Sequence, residues 1–179
     1  MNIRSEETGM ADNNKDNIVL IGMPSCGKST IGVVLAKAMG YRFVDSDLVI
    51  QDRTGKLLHE IIEKEGLEAF NRIENDVNMS LDYHKAVIAT GGSVVYGKEA
   101  MEHLKDIATV IYIKLPYDTL QDRIGDLNER GVSIKEGMTF KELYEERVPL
   151  YEKYADIVFE ADNLPIREIV WQIIKKFVK

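Results

Sequence analysis

Residues 17–31, NIVLIGMPSCGKSTI, decide the fold. Ile18–Ile21 is a short apolar run that reads as a buried strand. It passes straight into Gly22-Met23-Pro24-Ser25-Cys26-Gly27-Lys28-Ser29, which fits the G-x-x-x-x-G-K-[ST] phosphate loop. A helical run from Ile31 to Met39 follows. Gly22 and Gly27 accept backbone angles that a side chain forbids. The loop can then turn its N–H groups inward as a nest for anionic oxygens. A helix beginning near Lys28 adds the positive end of its dipole. Lys28 supplies a cation for the β- and γ-phosphates, and the Ser29 hydroxyl suits Mg²⁺. A chance match to the motif would not bring strand, loop and helix in this order.

Outward from the loop, the chain alternates strands and helices. Gly40 is a natural stop for the first helix. Residues 41–44 (YRFV) read as a strand ending in Asp45-Ser46-Asp47. Two carboxylates just past a strand end lie where open α/β sheets bind ligands, and where Mg²⁺ beside a phosphate loop needs oxygen. One of them also suits the N-cap of a helix over 48–53. Helices are expected over 57–64 and 67–81, broken at Gly66, with Phe70, Ile73, Val77 and Leu81 facing the core. Arg72 and Glu74 fall off that stripe and read as a solvated charged face. Residues 86–89 (AVIA) form a third strand, followed by Thr90-Gly91-Gly92-Ser93, where a glycine pair lets backbone approach a ligand.

Residues 109–114 form a fourth strand and 117–124 a helix. Residues 125–137 lack apolar periodicity and read as a mobile lid. A helix over 140–154 carries Arg147, and Pro149 within it implies a kink or break. The fifth strand is 156–160. The last helix is 165–179, with Pro165 at N1 and Ile166, Ile169, Ile173 and Phe177 as its buried stripe. Alternation of this kind gives a parallel sheet covered on both faces.

At 179 residues, one domain is expected, spanning 17–179 after a polar tail, 1–16, that reads as disordered. The net charge of −7 argues against a nucleic-acid surface. No apolar run approaches membrane-spanning length, and the single cysteine, Cys26, permits no internal disulfide, so a cytoplasmic protein is expected. Inside the loop Cys26 reads as a small filler. A guanine-reading Asn-Lys-x-Asp sequence, which a regulatory GTPase needs, is absent.

Five stretches together resemble the shikimate kinase family of phosphate-loop kinases: GMPSCGKST at the loop, FVDSD after the second strand, DLVIQDRTGKLLHEIIEKEGLEAFNRIE, ATGGS, and ERVPLYEKYAD near the end. The resemblance implies a three-layer α/β fold with strand order 2-3-1-4-5 and transfer of a phosphoryl group from ATP, with Mg²⁺, to a small hydroxy compound. Gly22 to Thr30 would cradle ATP and Arg123 would lie beside its adenine. Ser29 and Asp45 would serve the metal. Asp47 would meet the reacting hydroxyl as base. Gly91 and Gly92 would line the acceptor site, Arg147 would grip the acceptor carboxylate, and Arg130 would swing over the transferred phosphate. The chain is expected to act as a monomer on a small molecule, without nucleic acid or membrane.

The chain departs from the family at three places. Asn71 stands where the family has the arginine that shares the acceptor carboxylate, and Arg72 cannot replace it, because one helical step turns a side chain by about 100°. Ser93 stands where the family has a third glycine. The lid reads ERGVSI in place of an Arg-Pro pair. Losing one charge-assisted contact costs about 1.5–3 kcal/mol. The acceptor is therefore shikimate or another small hydroxy compound, homoserine among them. A non-catalytic ATP-binding module is the remaining alternative.

Overall fold

The apolar run at the head of the phosphate loop becomes β1 (Asn17–Ile21), and every residue of it is buried. A strand buried along its whole length needs cover on both faces, and the rest of the chain supplies it. The computed structural model describes residues 15–125 and 132–177. Five parallel strands lie in the order β2-β3-β1-β4-β5: β2 (Arg42–Asp45), β3 (Ala86–Ala89), β4 (Ala108–Lys114) and β5 (Ile157–Glu160). β1 sits at the centre, Leu20 paired with Ala89 on one side and with Ile111 on the other. This is the order expected. The strand ends carrying Gly22, Asp45 and Thr90 thus come together at one edge of the sheet, beside the point where the chain order reverses.

The helices are α1 (Lys28–Met39), α2 (Ser46–Thr54), α3 (Leu58–Glu65), α4 (Leu67–Met79), α5 (Lys98–Ile107), α6 (Tyr117–Ile124), α7 (Phe140–Tyr154) and α8 (Ile166–Phe177), with a 3₁₀ turn at Val94–Tyr96. α1 and α8 pack together, and α5 and α7 lie against β4. Gly40 and Gly55 end α1 and α2 in the left-handed conformation, as the turn chemistry of a helix C-terminus demands. A second small core forms around Ile50, Ile61, Phe70 and Val77, joining α2, α3 and α4 to one another.

Several expectations need correcting. α2 begins at Ser46, two residues early, because the Asp45 carboxylate caps it by accepting from the Asp47 N–H at 3.0 Å. Pro149 does not break α7, since Arg147 and Tyr151 on either side are wholly buried and hold the helix by packing. Pro165 precedes the first turn of α8 rather than occupying it, its carbonyl accepting from the Ile169 N–H. Ile166 is exposed, and the buried stripe of α8 is Ile169, Val170 and Ile173. α5 is a helix for which periodicity alone set no boundaries. Most of the proposed tail (residues 1–14), the middle of the proposed lid (126–131) with Arg130, and residues 178–179 lie outside the described residues.

Candidate active site

The phosphate loop is built by backbone. Gly22 has φ 147° and Gly27 φ 97°, both in the region that side chains disfavour. A β-carbon on Gly22 would also stand 2.7 Å from the Ile113 carbonyl oxygen. Gly27 precedes α1 and offers no side-chain cap. The first-turn N–H groups of α1 are therefore available to an anion, which the helix dipole favours. Lys28 is buried, its ammonium donating to the Gly22 carbonyl at 2.8 Å and the Met23 carbonyl at 2.9 Å. The side chains of Met23 and Cys26 point into the core, 1% and 2% exposed. Cys26 fills the core and its Sγ also accepts from Lys28 Nζ at 3.7 Å. Ser29 and Thr30 remain exposed.

Beyond the loop, Ser29 Oγ donates to Asp45 Oδ2 at 2.9 Å. Asp45 thus does two jobs with two oxygens: Oδ1 caps α2 and Oδ2 meets Ser29. A hydroxyl and a carboxylate side by side are hard oxygen donors of the type Mg²⁺ takes, the remainder of its shell coming from phosphate and water.

A cavity of about 560 Å³ opens from the loop towards α4 and α7. It is lined by Ser25, Gly27, Lys28, Ser29 and Thr30 at one end and by Asp47, Glu74, Gly91, Gly92, Ser93 and Arg147 at the other. Arg123 and Ser133 also line it. Most of the sequence-derived site residues are thereby brought to one space. Gly22, Met23, Cys26 and Asp45 do not line it, Asn71 lies beside a neighbouring cavity of about 190 Å³, and Arg130 lies outside the described residues.

The acceptor end holds a residue that sequence reasoning misplaced. Glu74 is not on a solvated face; it is 2% exposed. It takes a hydrogen bond from Ser93 Oγ to Oε2 at 2.6 Å. The clue was present in spacing: Phe70, Glu74, Val77 and Asn78 lie one helical turn apart and are all buried. A β-carbon on Gly91 would collide with Glu74 Oε1 and lie 2.9 Å from Asp47 Oδ1. Gly91 is a glycine for space, with two carboxylates converging on it. Both of those oxygens are buried without a hydrogen-bond partner among the described residues, an arrangement that calls for a donor.

Burial sets the electrostatics. Loss of water pushes Asp47 up to about 6, with the Asp45 charge adding to the effect and Lys28 opposing it. Burial pushes Glu74 up to about 7, partly offset by the Ser93 hydrogen bond. A carboxylate near 6 is suited to accept a proton at neutral pH.

Arg147 closes the far wall and is 0% exposed. Its Nε donates to Tyr96 Oη at 3.2 Å, its guanidinium lies 5.1 Å over the Tyr96 ring, and Nη2 donates to the Ser133 carbonyl. Nη1 lies by Gly92, 3.0 Å from where a β-carbon would be. Tyr96 and Ser133 were not legible as site residues in sequence.

A family model described as shikimate kinase matches residues 24–178. A shikimate kinase of Thermodesulfovibrio yellowstonii is 35% identical over 90% of this chain and 94% of its own. One from Legionella pneumophila is 38% identical over 89% of this chain and 93% of its own. Among solved structures, shikimate kinase from Acinetobacter baumannii in complex with shikimate superposes with a TM-score of 0.82 at 30% identity, covering 90% of this chain and 92% of that one. With sheet order, phosphate loop and sequence agreeing over nearly its whole length, this chain belongs to the shikimate kinase family of phosphate-loop kinases.

Proposed function

We propose that this protein transfers the γ-phosphoryl group of ATP to shikimate, giving shikimate 3-phosphate. The observation that carries the reading is the cavity itself. A backbone cradle for phosphates faces a buried carboxylate pair and a buried arginine across one space, in a chain of the shikimate kinase family. Loop N–H groups from Gly22 to Thr30, with Lys28, would hold the β- and γ-phosphates, and Arg123 would flank the adenine. Ser29 and Asp45 would hold Mg²⁺, whose chemistry is to neutralise charge on the phosphate oxygens.

Asp47 Oδ1, lacking a partner among the described residues, accepts the hydrogen bond of the reacting hydroxyl and takes its proton late in the transfer. Gly91 and Gly92 leave room for the acceptor ring to approach the backbone. Ser93 holds Glu74 beside Asp47, and the acceptor carboxylate meets Nη1 of Arg147. Lys28 stabilises charge as it develops on the transferred group, and Arg130, matched by motif, is proposed to assist it. The proposed enzyme works in the cytoplasm, as a monomer, on a small molecule; among the described residues no helix is long and apolar enough to cross a membrane.

The test is ADP release with Mg²⁺ and ATP, first with shikimate, then with small hydroxy acids, amino alcohols including homoserine, and polyols. Saturable release with shikimate at sub-millimolar concentration is expected. Response to another acceptor alone overturns shikimate as substrate, and nucleotide binding without turnover of any acceptor overturns the kinase reading.

A further inference from the structure

We propose that Asn71 acts on the acceptor from outside its pocket: it anchors Ser133, whose carbonyl holds the guanidinium of Arg147 in place beside Gly92. The inference rests on the reading of Arg147 as the grip on the acceptor carboxylate.

Ser133 belongs to a stretch, 132–135, with no regular secondary structure. Irregular stretches generally run over the surface, and this one leads into a turn in which the Met138 N–H donates to the Lys135 carbonyl at 3.1 Å. Ser133 is nonetheless 5% exposed. Its hydroxyl donates to Asn71 Oδ1 on α4 at 3.1 Å, and its carbonyl accepts from Arg147 Nη2 on α7. One residue thus ties the arginine to a helix whose own face is packed in a core around Phe70 and Val77.

The other side of Arg147 is held through Tyr96. Tyr96 Oη, which accepts from Nε, donates to Glu146 Oε1 at 2.5 Å, and Lys135 pairs with Glu146 Oε2 at 3.3 Å. Two braces of this kind leave the guanidinium little freedom, and planar recognition of a carboxylate needs a guanidinium fixed in direction. Asn71 sits with Tyr96, Lys135 and Glu146 around the smaller cavity behind Ser133. It is short and presents a carbonyl oxygen, which suits an acceptor for the Ser133 hydroxyl. An arginine there would have no acceptor to give. The substitution of Asn for the family arginine thereby changes a second gripping arm into a brace for the first.

The experiment uses the full chain and measures the calorimetric Kd for shikimate, with kcat and both KM values, in Asn71→Ala, Ser133→Ala, the double variant and Asn71→Asp. Each alanine variant is expected to weaken shikimate about three- to tenfold, the range of one neutral hydrogen bond. The values of kcat and the KM for ATP should stay within about twofold. The double variant should be no weaker than either single one, because both remove the same link. Asn71→Asp keeps an acceptor for Ser133 Oγ and should bind shikimate as the parent does.

Unchanged affinity in the alanine variants overturns the proposal, as do additive losses. A larger loss in Asn71→Asp than in Asn71→Ala also overturns it, since that would put the Asn71 amide directly on the acceptor carboxylate. Failure of the parent chain to bind and phosphorylate shikimate overturns the acceptor reading and this inference with it, and is seen before any variant is made.

Discussion

The two ends of the cavity are made in opposite ways. The phosphate end is one contiguous stretch, Gly22 to Ser29. It presents backbone N–H groups, a helix terminus and one lysine tied to the loop's own carbonyls at 2.8 and 2.9 Å. The acceptor end draws Asp47 from α2, Glu74 from α4, Gly91 to Ser93 from the loop after β3, Ser133 from an irregular stretch and Arg147 from α7. It works through side chains that meet only after folding. Met23 and Cys26 turn their side chains into the core, 1% and 2% exposed. A pocket made of side chains depends on each of them, as the Ser93 hydrogen bond to Glu74 at 2.6 Å illustrates.

The largest break in this contrast should come at Asp47. Asp47→Asn keeps the size and the capped first turn but removes the proton acceptor, so kcat should fall on the order of 10²–10⁴-fold with the KM for ATP nearly unchanged, measured by steady-state ADP release. In the parent, kcat/KM should fall on the acid side with a midpoint near the raised value of about 6, since the carboxyl must be ionised to accept a proton. A fall in ATP affinity equal to the fall in kcat would mean that Asp47 belongs to the phosphate end.

Next is Arg147→Lys. An ammonium keeps the charge but cannot reach Tyr96, Ser133 and the acceptor together as a planar fork does. The KM for shikimate should rise about 10- to 100-fold, while ATP hydrolysis without acceptor stays at the parent rate. Gly91→Ala should then cost about tenfold in kcat/KM for shikimate. Its methyl group must displace the Glu74 carboxylate and crowd Asp47 Oδ1 at 2.9 Å. Nucleotide affinity should be unaffected if the two ends are independent.

The smallest effect is on stability. Glu74 has its folded pKa raised from 4.5 to about 7. The folded state therefore holds a proton that the unfolded chain has lost between these values, and stability falls as pH rises through that window. Glu74→Gln removes the titration. Its melting temperature should match the parent near pH 4.5 and exceed it near pH 8 by a few degrees, roughly 2–4 °C per kcal/mol. A difference that does not change with pH would show that Glu74 is ionised throughout.

The sequence by itself determined the phosphate loop, the order of strands and helices, and the positions of Lys28, Ser29, Asp45 and Asp47. These follow from local causes: glycine's conformational freedom, apolar runs of strand length, caps at helix ends. It also marked Gly91 and Gly92, as a glycine pair at a strand end, and Arg147, through motif likeness. Only the tertiary structure decided the fate of Glu74, which one-dimensional reading sent to solvent and which folding seals against Gly91 and Ser93. The same holds for Asn71, which turns to Ser133, and for Tyr96, which braces Arg147 from 51 residues away in the chain. A hydrogen bond between residues distant in sequence leaves no periodicity behind. It exists only once α4, α7 and the loop after β3 have packed around a common space, and there the cost of burying a charge or leaving a polar atom unpaired selects its partners.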